Sequence, residues 1–197
     1  MIAKRIFDII FSALGLIILS PFLLIISLII KLDSKGRILY RQTRIGKGGR
    51  EFKIDKFRTM VENADKLGMS ITVSNDNRVT KAGRFLRKFK LDELPQLINV
   101  FLGEMSFVGP RPEVKKYVDM YNDEQRRVLS VRPGITEYAS IIYRNENELL
   151  DAAMEPEEVY INDIMPKKLK LNLEYIDNMS FWGDIKLIFK TIFSLFE

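Results

Sequence analysis

From Ile9 to Ile30 the chain carries 22 consecutive residues without a charge. About 20 apolar residues in a helix cross the hydrocarbon core of a bilayer. This run therefore commits the N-terminus to a membrane. A cleaved signal peptide is the competing account, but the run exceeds an ordinary signal core and ends at Lys31 with no small-residue cleavage pattern. Ser20-Pro21 lies at the midpoint of the run. Proline removes one backbone donor and crowds the carbonyl four residues earlier, here Ile17. The freed backbone must still be bonded, and the Ser20 hydroxyl is the nearest donor. Lys4 and Arg5 precede the run, and residues 31–58 hold ten basic residues against three acidic ones. The positive-inside rule places both flanks on the cytoplasmic side. That favours a re-entrant membrane helix broken at Ser20-Pro21 over a kinked helix that spans.

The chain contains no cysteine and no histidine. A thiol nucleophile and a disulfide framework are excluded. The commonest general base and the commonest transition-metal ligand are gone too. Zinc and copper sites are disfavoured, and a metal would need oxygen ligands, so Mg²⁺ is the first choice and Mn²⁺ the second. Covalent catalysis would fall to Asp, Glu, Ser, Thr, Lys or Tyr. The net charge of +5 favours anionic partners, whether phosphates, nucleic acid or an anionic lipid surface.

Beyond the membrane run, Ile38, Tyr40, Phe52 and Ile54 alternate with polar residues around Gly46, Gly48 and Gly49. This predicts a small β-hairpin, since the glycines match neither phosphate-binding pattern. Residues 78–90 hold six basic residues and no acidic one, with Phe85 and Phe89 one turn apart. They predict a basic amphipathic helix lying on anionic headgroups. Leu94, Leu97, Ile98 and Phe101 predict a second helix ended by Gly103. Arg111 stands between Pro110 and Pro112, either a turn with a surface arginine or a stiff fork for phosphate. Val131–Thr136 is expected to be a type II turn. Residues 145–163 hold seven acidic residues and no basic one, a solvated face turned from the membrane. Trp182, Ile185, Phe189, Ile192, Phe193 and Phe196 form a stripe flanked by Lys186 and Lys190, expected to lie in the membrane plane. The fold class is α+β, mostly helical, with no internal repeats.

Within Lys90–Val100, KLDELPQLINV, two carboxylates stand side by side behind the basic run. Asp92 near a helix N-terminus, with Pro95 in the first turn, reads as a cap, and Glu93 as dipole compensation. The same placement suits chemistry. A helix N-terminus with Arg87, Lys88 and Lys90 makes a positive field that lowers a carboxylate pKa and receives phosphate. One carboxylate could attack phosphorus while the other holds a metal. Both accounts stand on the residues alone.

The chain resembles the bacterial sugar transferase family, the small monotopic phosphoglycosyl transferases. The resemblance rests on Ser20-Pro21, Lys56-Phe57-Arg58-Thr59-Met60, Arg78-Val79-Thr80 and Gly83-Arg84-Phe85-Leu86-Arg87. It continues through Leu91-Asp92-Glu93-Leu94-Pro95-Gln96-Leu97, Met105-Ser106, Val108-Gly109-Pro110-Arg111-Pro112 and Arg132-Pro133-Gly134-Ile135-Thr136. It implies transfer of a sugar 1-phosphate from a UDP-sugar to polyprenol (undecaprenyl) phosphate with release of UMP. It implies Asp92 as nucleophile, Glu93 with Asp92 at Mg²⁺, and Arg111 on phosphate. Lys56, Arg58 and Arg87 match basic positions lining the site, and Arg144 corresponds to an arginine on the donor. It implies a re-entrant helix over 1-32 and a catalytic domain over 33-197 on the cytoplasmic face of the bacterial inner membrane. The partners implied are anionic lipid and downstream glycosyltransferases, with no nucleic acid. The extra membrane helices of longer members are not expected here.

The chain departs from the family after Thr136. Many members continue Gly-Leu-Ala-Gln, whereas Glu137-Tyr138-Ala139-Ser140 stands here. Two other activities fit the sequence: a membrane phosphohydrolase using the same Asp92, and a non-catalytic membrane adaptor. Retention of Asp92, Glu93 and Arg111 together disfavours the adaptor.

Overall fold

The structure is a computed structural model, and it describes residues 2–64, 76–143, 149–150 and 153–194. Helix α1 (Ile2–Asp33) has 32 residues and contains Pro21. The residues on both sides of Ser20-Pro21 stay in one helix, and the interruption is confined to its hydrogen-bond ladder. The Ser20 hydroxyl donates to the Ile17 carbonyl at 2.8 Å, the carbonyl that Pro21 leaves without its usual backbone donor.

The two ends of α1 dock on the rest of the chain by different chemistry. Near the N-terminus, Lys4 donates to the Val108 carbonyl at 2.8 Å and pairs with Asp184. Arg5 donates to the carbonyls of Val100 and Phe101 at 2.7 and 2.9 Å. Asp8 accepts from the Ser106 hydroxyl and the Phe107 amide at 3.1 and 3.2 Å. Near the C-terminus, Ile26 and Ile30 pack with Phe57 and Leu86. The opposite face is bare: Ile18 and Leu24 are each 71% exposed. An apolar face of this extent on a helix long enough to cross a bilayer marks a membrane-associated surface.

The hairpin forms as its alternation predicts. Strands β1 (Leu39–Ile45) and β2 (Glu51–Phe57) pair antiparallel from Leu39 opposite Phe57 to Ile45 opposite Glu51. A 3-10 turn at Lys47–Gly49 joins them, with Gly48 and Gly49 at φ of 70° and 74°. Those angles suit glycine and make the run a turn. Helix α2 (Lys81–Lys88) follows, its N-terminus capped by Thr80 accepting from the Gly83 amide. Phe85 and, at its C-terminal cap, Phe89 are exposed, with ring centroids 5.0 Å apart and planes tilted by 57°. Helix α3 (Gln96–Leu102) ends at Gly103, whose φ of 89° closes the helix.

Residues Val131–Thr136 correct the expected type II turn. Gly134–Thr136 is strand β4, parallel to β3 (Ser106–Val108), with Ser106 opposite Gly134 and Val108 opposite Thr136. The reason is close backbone approach. A Cβ on Gly134 would strike Gly109, and one on Gly109 would strike the Arg132 carbonyl. The glycines are there for space. Helix α4 (Lys115–Val118), a 3-10 segment (Gln125–Ser130) and helix α5 (Tyr138–Ile142) lie around this pair in sequence. Helix α6 (Pro156–Val159) continues through a π turn (Tyr160–Ile164) into α7 (Met165–Asp177), and α8 (Phe181–Ser194) closes the described chain.

The main apolar core gathers Tyr117, Tyr121, Val128, Ile164, Leu169 and Leu173 with Ile45. A smaller one, Phe52, Ile54, Val100 and Met105, joins β2 to α3. Asn99 ties the same two elements: its Oδ1 accepts from the Asp55 amide at 2.9 Å and its Nδ2 donates to the Lys53 carbonyl at 2.8 Å. Trp182, Phe189 and Phe193 of α8 are 78%, 57% and 67% exposed, so its aromatic stripe faces outward. Phe196 and part of the acidic segment 145–163 lie outside the described residues.

Candidate active site

Asp92 and Glu93 belong to a 3-10 turn, Leu91–Glu93, which follows Lys90 in the left-handed region at φ 55°. Leu91 and Leu94 anchor the turn to the core beneath α1. Helix α3 starts only at Gln96, with Pro95 at its cap position and no side-chain cap bond. This corrects the capping account of Asp92. Its side chain sits one turn ahead of the helix and caps nothing.

The two carboxylates occupy opposite environments. Glu93 is saturated with cations: Lys56 Nζ donates to Oε1 at 2.8 Å, Arg111 Nη2 to Oε1 at 2.6 Å, and Arg111 Nη1 to Oε2 at 3.4 Å. Burial alone would raise its pKa, but Arg111 and Lys56 hold it well below the ordinary value. Asp92 is 9% exposed, and its carboxylate has no hydrogen bond or ion pair among the described residues. Burial and the Glu93 charge raise its pKa, opposed by Lys56, Arg87 and Lys90. The expected lowering of a carboxylate pKa is found at Glu93, but Arg111 and Lys56 cause it and not Arg87, Lys88 and Lys90; at Asp92 the direction is reversed, because desolvation and the Glu93 charge outweigh cations that do not touch it.

The remaining predicted residues divide. Lys56, on β2, reaches the dyad, and burial pulls its ammonium below the ordinary value against the attraction of Glu93. Arg111 reaches it from the segment after β3. Arg87, in the last turn of α2, donates to the Thr59 hydroxyl at 2.8 Å and feels the Asp92 charge. Arg58 goes elsewhere. Its guanidinium donates to the carbonyls of Ser34 and Lys35 and to the Ser34 hydroxyl, closing the C-terminal end of α1. Its expected place among the phosphate-binding residues is not where these bonds put it: both terminal nitrogens bond the segment that follows α1. Arg144 lies outside the described residues.

No cluster of three or more metal-ligating side chains exists among the described residues. Mg²⁺ needs less than that. It keeps several waters and takes one or two carboxylates together with substrate phosphate. Asp92, free of cations, fits such an ion. Glu93 fits through Oε2, which has one long contact from Arg111, while Oε1 is held by Arg111 and Lys56 together.

Three supporting residues escaped the sequence reading as site components. Glu137, 2% exposed, accepts from the Arg111 amide at 2.9 Å. Arg44 donates to the Pro112 carbonyl at 3.1 Å. Thr59 holds Arg87. Only Glu137 carried a signal, as the first residue after the family pattern stops.

The profile of the bacterial sugar transferase family matches residues 1–197. A UDP-glucose:undecaprenyl-phosphate glucose-1-phosphate transferase of Klebsiella pneumoniae is 42% identical, covering 100% of this chain and 40% of that protein. A UDP-N-acetylgalactosamine-undecaprenyl-phosphate N-acetylgalactosaminephosphotransferase of Aeromonas hydrophila is 37% identical over 96% of this chain and 42% of its own length. The exopolysaccharide production protein ExoY of Sinorhizobium fredii is 36% identical over 97% of this chain and 84% of its own. The chain thus spans about two fifths of the length of the first two relatives. Matched over residues 1–197, the chain belongs to the bacterial sugar transferase family.

Proposed function

We propose that this chain transfers a sugar 1-phosphate from a UDP-sugar to polyprenol phosphate at the membrane surface. The observation that carries the reading is the buried Asp92 carboxylate, unbonded beside a cation-saturated Glu93. An Asp92 oxygen attacks the phosphorus that bears the sugar. The bond from that phosphorus to the bridging oxygen breaks, and UMP leaves with the electron pair. An aspartyl phosphosugar remains. A phosphate oxygen of the polyprenol phosphate then attacks the same phosphorus and releases the Asp92 carboxylate. Burial favours this path because a desolvated carboxylate is a stronger nucleophile than a hydrated one.

Arg111 is the phosphate fork. It exchanges part of its contact with Glu93 for the transferred phosphate and stabilises charge where it develops. Lys56 keeps Glu93 compensated during that exchange, and Arg87 borders Asp92 from the α2 side. Bound Mg²⁺, held by Asp92 and Glu93 with diphosphate oxygens, would supply charge neutralisation for the leaving UMP. The reading sets this site beside a lipid substrate on the cytoplasmic face of the inner membrane, with 1-32 as the membrane element and 33-197 as the catalytic domain; the exposed apolar side chains of α1, α2 and α8 support contact with a membrane.

The test uses the full chain in lipid nanodiscs with Mg²⁺, a panel of UDP-sugars and undecaprenyl phosphate, and measures UMP. Lipid-dependent UMP release is expected, together with a phosphosugar adduct on Asp92 by intact mass when the lipid is omitted. Sustained release without lipid would assign a hydrolase, and no release with any donor would assign an adaptor.

A further inference from the structure

Arg111 is held by more than the carboxylate it faces. Its own amide donates to Glu137 Oε2 at 2.9 Å. Glu137 is 2% exposed and has three further partners. Asn172 Nδ2 donates to Oε2 at 3.0 Å, the Ser140 hydroxyl donates to Oε1 at 2.9 Å, and Lys168 Nζ lies 3.5 Å from Oε1. Lys168 and Asn172 are one turn apart on α7 and both buried. On the other side of the arginine, Arg44 bonds the Pro112 carbonyl. The Pro110 carbonyl accepts from the Gly134 amide at 3.0 Å.

A buried carboxylate costs several kcal/mol unless it is paired and bonded. A chain that needed only to close the loop after Thr136 could do so with a small uncharged residue. Here the position holds a charge, and α7 supplies the lysine and amide that compensate it. The point where Glu137 touches the site is one N–H, that of the residue whose side chain grips Glu93.

We propose that Glu137 is a positioning residue for Arg111, fixing the backbone of the Pro110–Pro112 segment through the Arg111 N–H and anchored in turn by Lys168 and Asn172. The inference rests on the reading of Arg111 as the phosphate fork. Displacement by an ångström at a group that acts on the transition state costs about a hundredfold. Loss of a supporting hydrogen bond to a site residue costs about ten- to a hundredfold.

The experiment is a double-mutant cycle in nanodiscs with a turned-over UDP-sugar. Glu137→Gln keeps the shape and one acceptor, and it should lower kcat about tenfold with donor KM changed less than about threefold. In an Arg111→Ala background the same substitution should change kcat less than about twofold, since the group it positions is gone. A tenfold loss in both backgrounds, or wild-type kcat in the single variant, would overturn the proposal. Backbone amide exchange gives a readout without turnover. The Arg111 amide should exchange about tenfold faster in Glu137→Ala than in the wild type, with the Asp55 amide, bonded to Asn99, as internal control. Unchanged Arg111 exchange would overturn the proposal even if no donor is turned over. Absence of turnover by the wild type alone counts against the proposed function only.

Discussion

The Leu91–Glu93 turn and the Pro110–Pro112 segment meet at one ion pair, Glu93 with Arg111, and are held in contrasting ways. The turn is fixed from beneath by apolar contacts of Leu91 and Leu94, while the Asp92 carboxylate is left without a partner. The segment is fixed by polar bonds on both sides of Arg111, from Glu137, Gly134 and Arg44. On the proposed function Asp92 is the nucleophile and must be unencumbered to react, which an apolar support distant from its oxygens allows, and Arg111 is the phosphate fork. A phosphate fork must hold its direction while its charge partner changes, so its support belongs on the backbone. The site thus separates a free group from a fixed one.

The sharpest way to break that comparison is Asp92→Asn. It should lower UMP release by at least about a thousandfold, the scale of losing an activated nucleophile. It should also leave the protein at least as stable at neutral pH. The folded pKa of Asp92 is raised, so its ionisation costs stability progressively as pH rises from the unfolded value through the folded one, and the amide removes the cost. Near-normal activity of this variant would remove Asp92 from the chemistry. Arg111→Ala comes next, with turnover down about a hundredfold or more. Arg111→Lys should recover only part of it, because an ammonium lacks the planar fork. A rate within twofold of wild type would show that the segment is architecture alone.

Glu93→Gln is expected to act mainly on stability. It leaves Lys56 and Arg111 buried without a countercharge, a loss of about 3 kcal/mol by thermal melts at pH 7. The folded pKa of Glu93 is depressed, so its contribution is present above the unfolded value and fades as pH falls through the folded one. The two neighbours should therefore shift the melting temperature in opposite directions at pH 7. The Asp92 difference should close near pH 4 and the Glu93 difference persist below it. Melts that move the same way for both variants would contradict the opposed environments. The smallest effect belongs to Ser20→Ala, which leaves the Ile17 carbonyl without its 2.8 Å donor and should cost about 1 kcal/mol in the membrane-bound protein.

Local pattern carried the hairpin, α3 with its Gly103 stop, and the outward stripes of α2 and α8, because each depends on residues within one or two turns. It also pointed to Asp92, Glu93 and Arg111, and the family resemblance added Lys56. It misread Gly134 as a turn, since the need for space came from Gly109, 25 residues away and invisible to a local rule. The resemblance put Arg58 among the basic positions lining the site, and a matched motif says nothing of where a side chain points. In the fold that arginine meets the end of α1.

The sequence by itself determined that the chain is membrane-associated, has no thiol or imidazole chemistry, and offers a carboxylate pair flanked by bases. Those follow from composition and short-range spacing. Only the tertiary structure decided which carboxylate is free. Lys56, Arg87, Arg111 and Glu137 come from four separate stretches, and an ion pair or a desolvation penalty exists only once the fold has brought such stretches within a few ångströms.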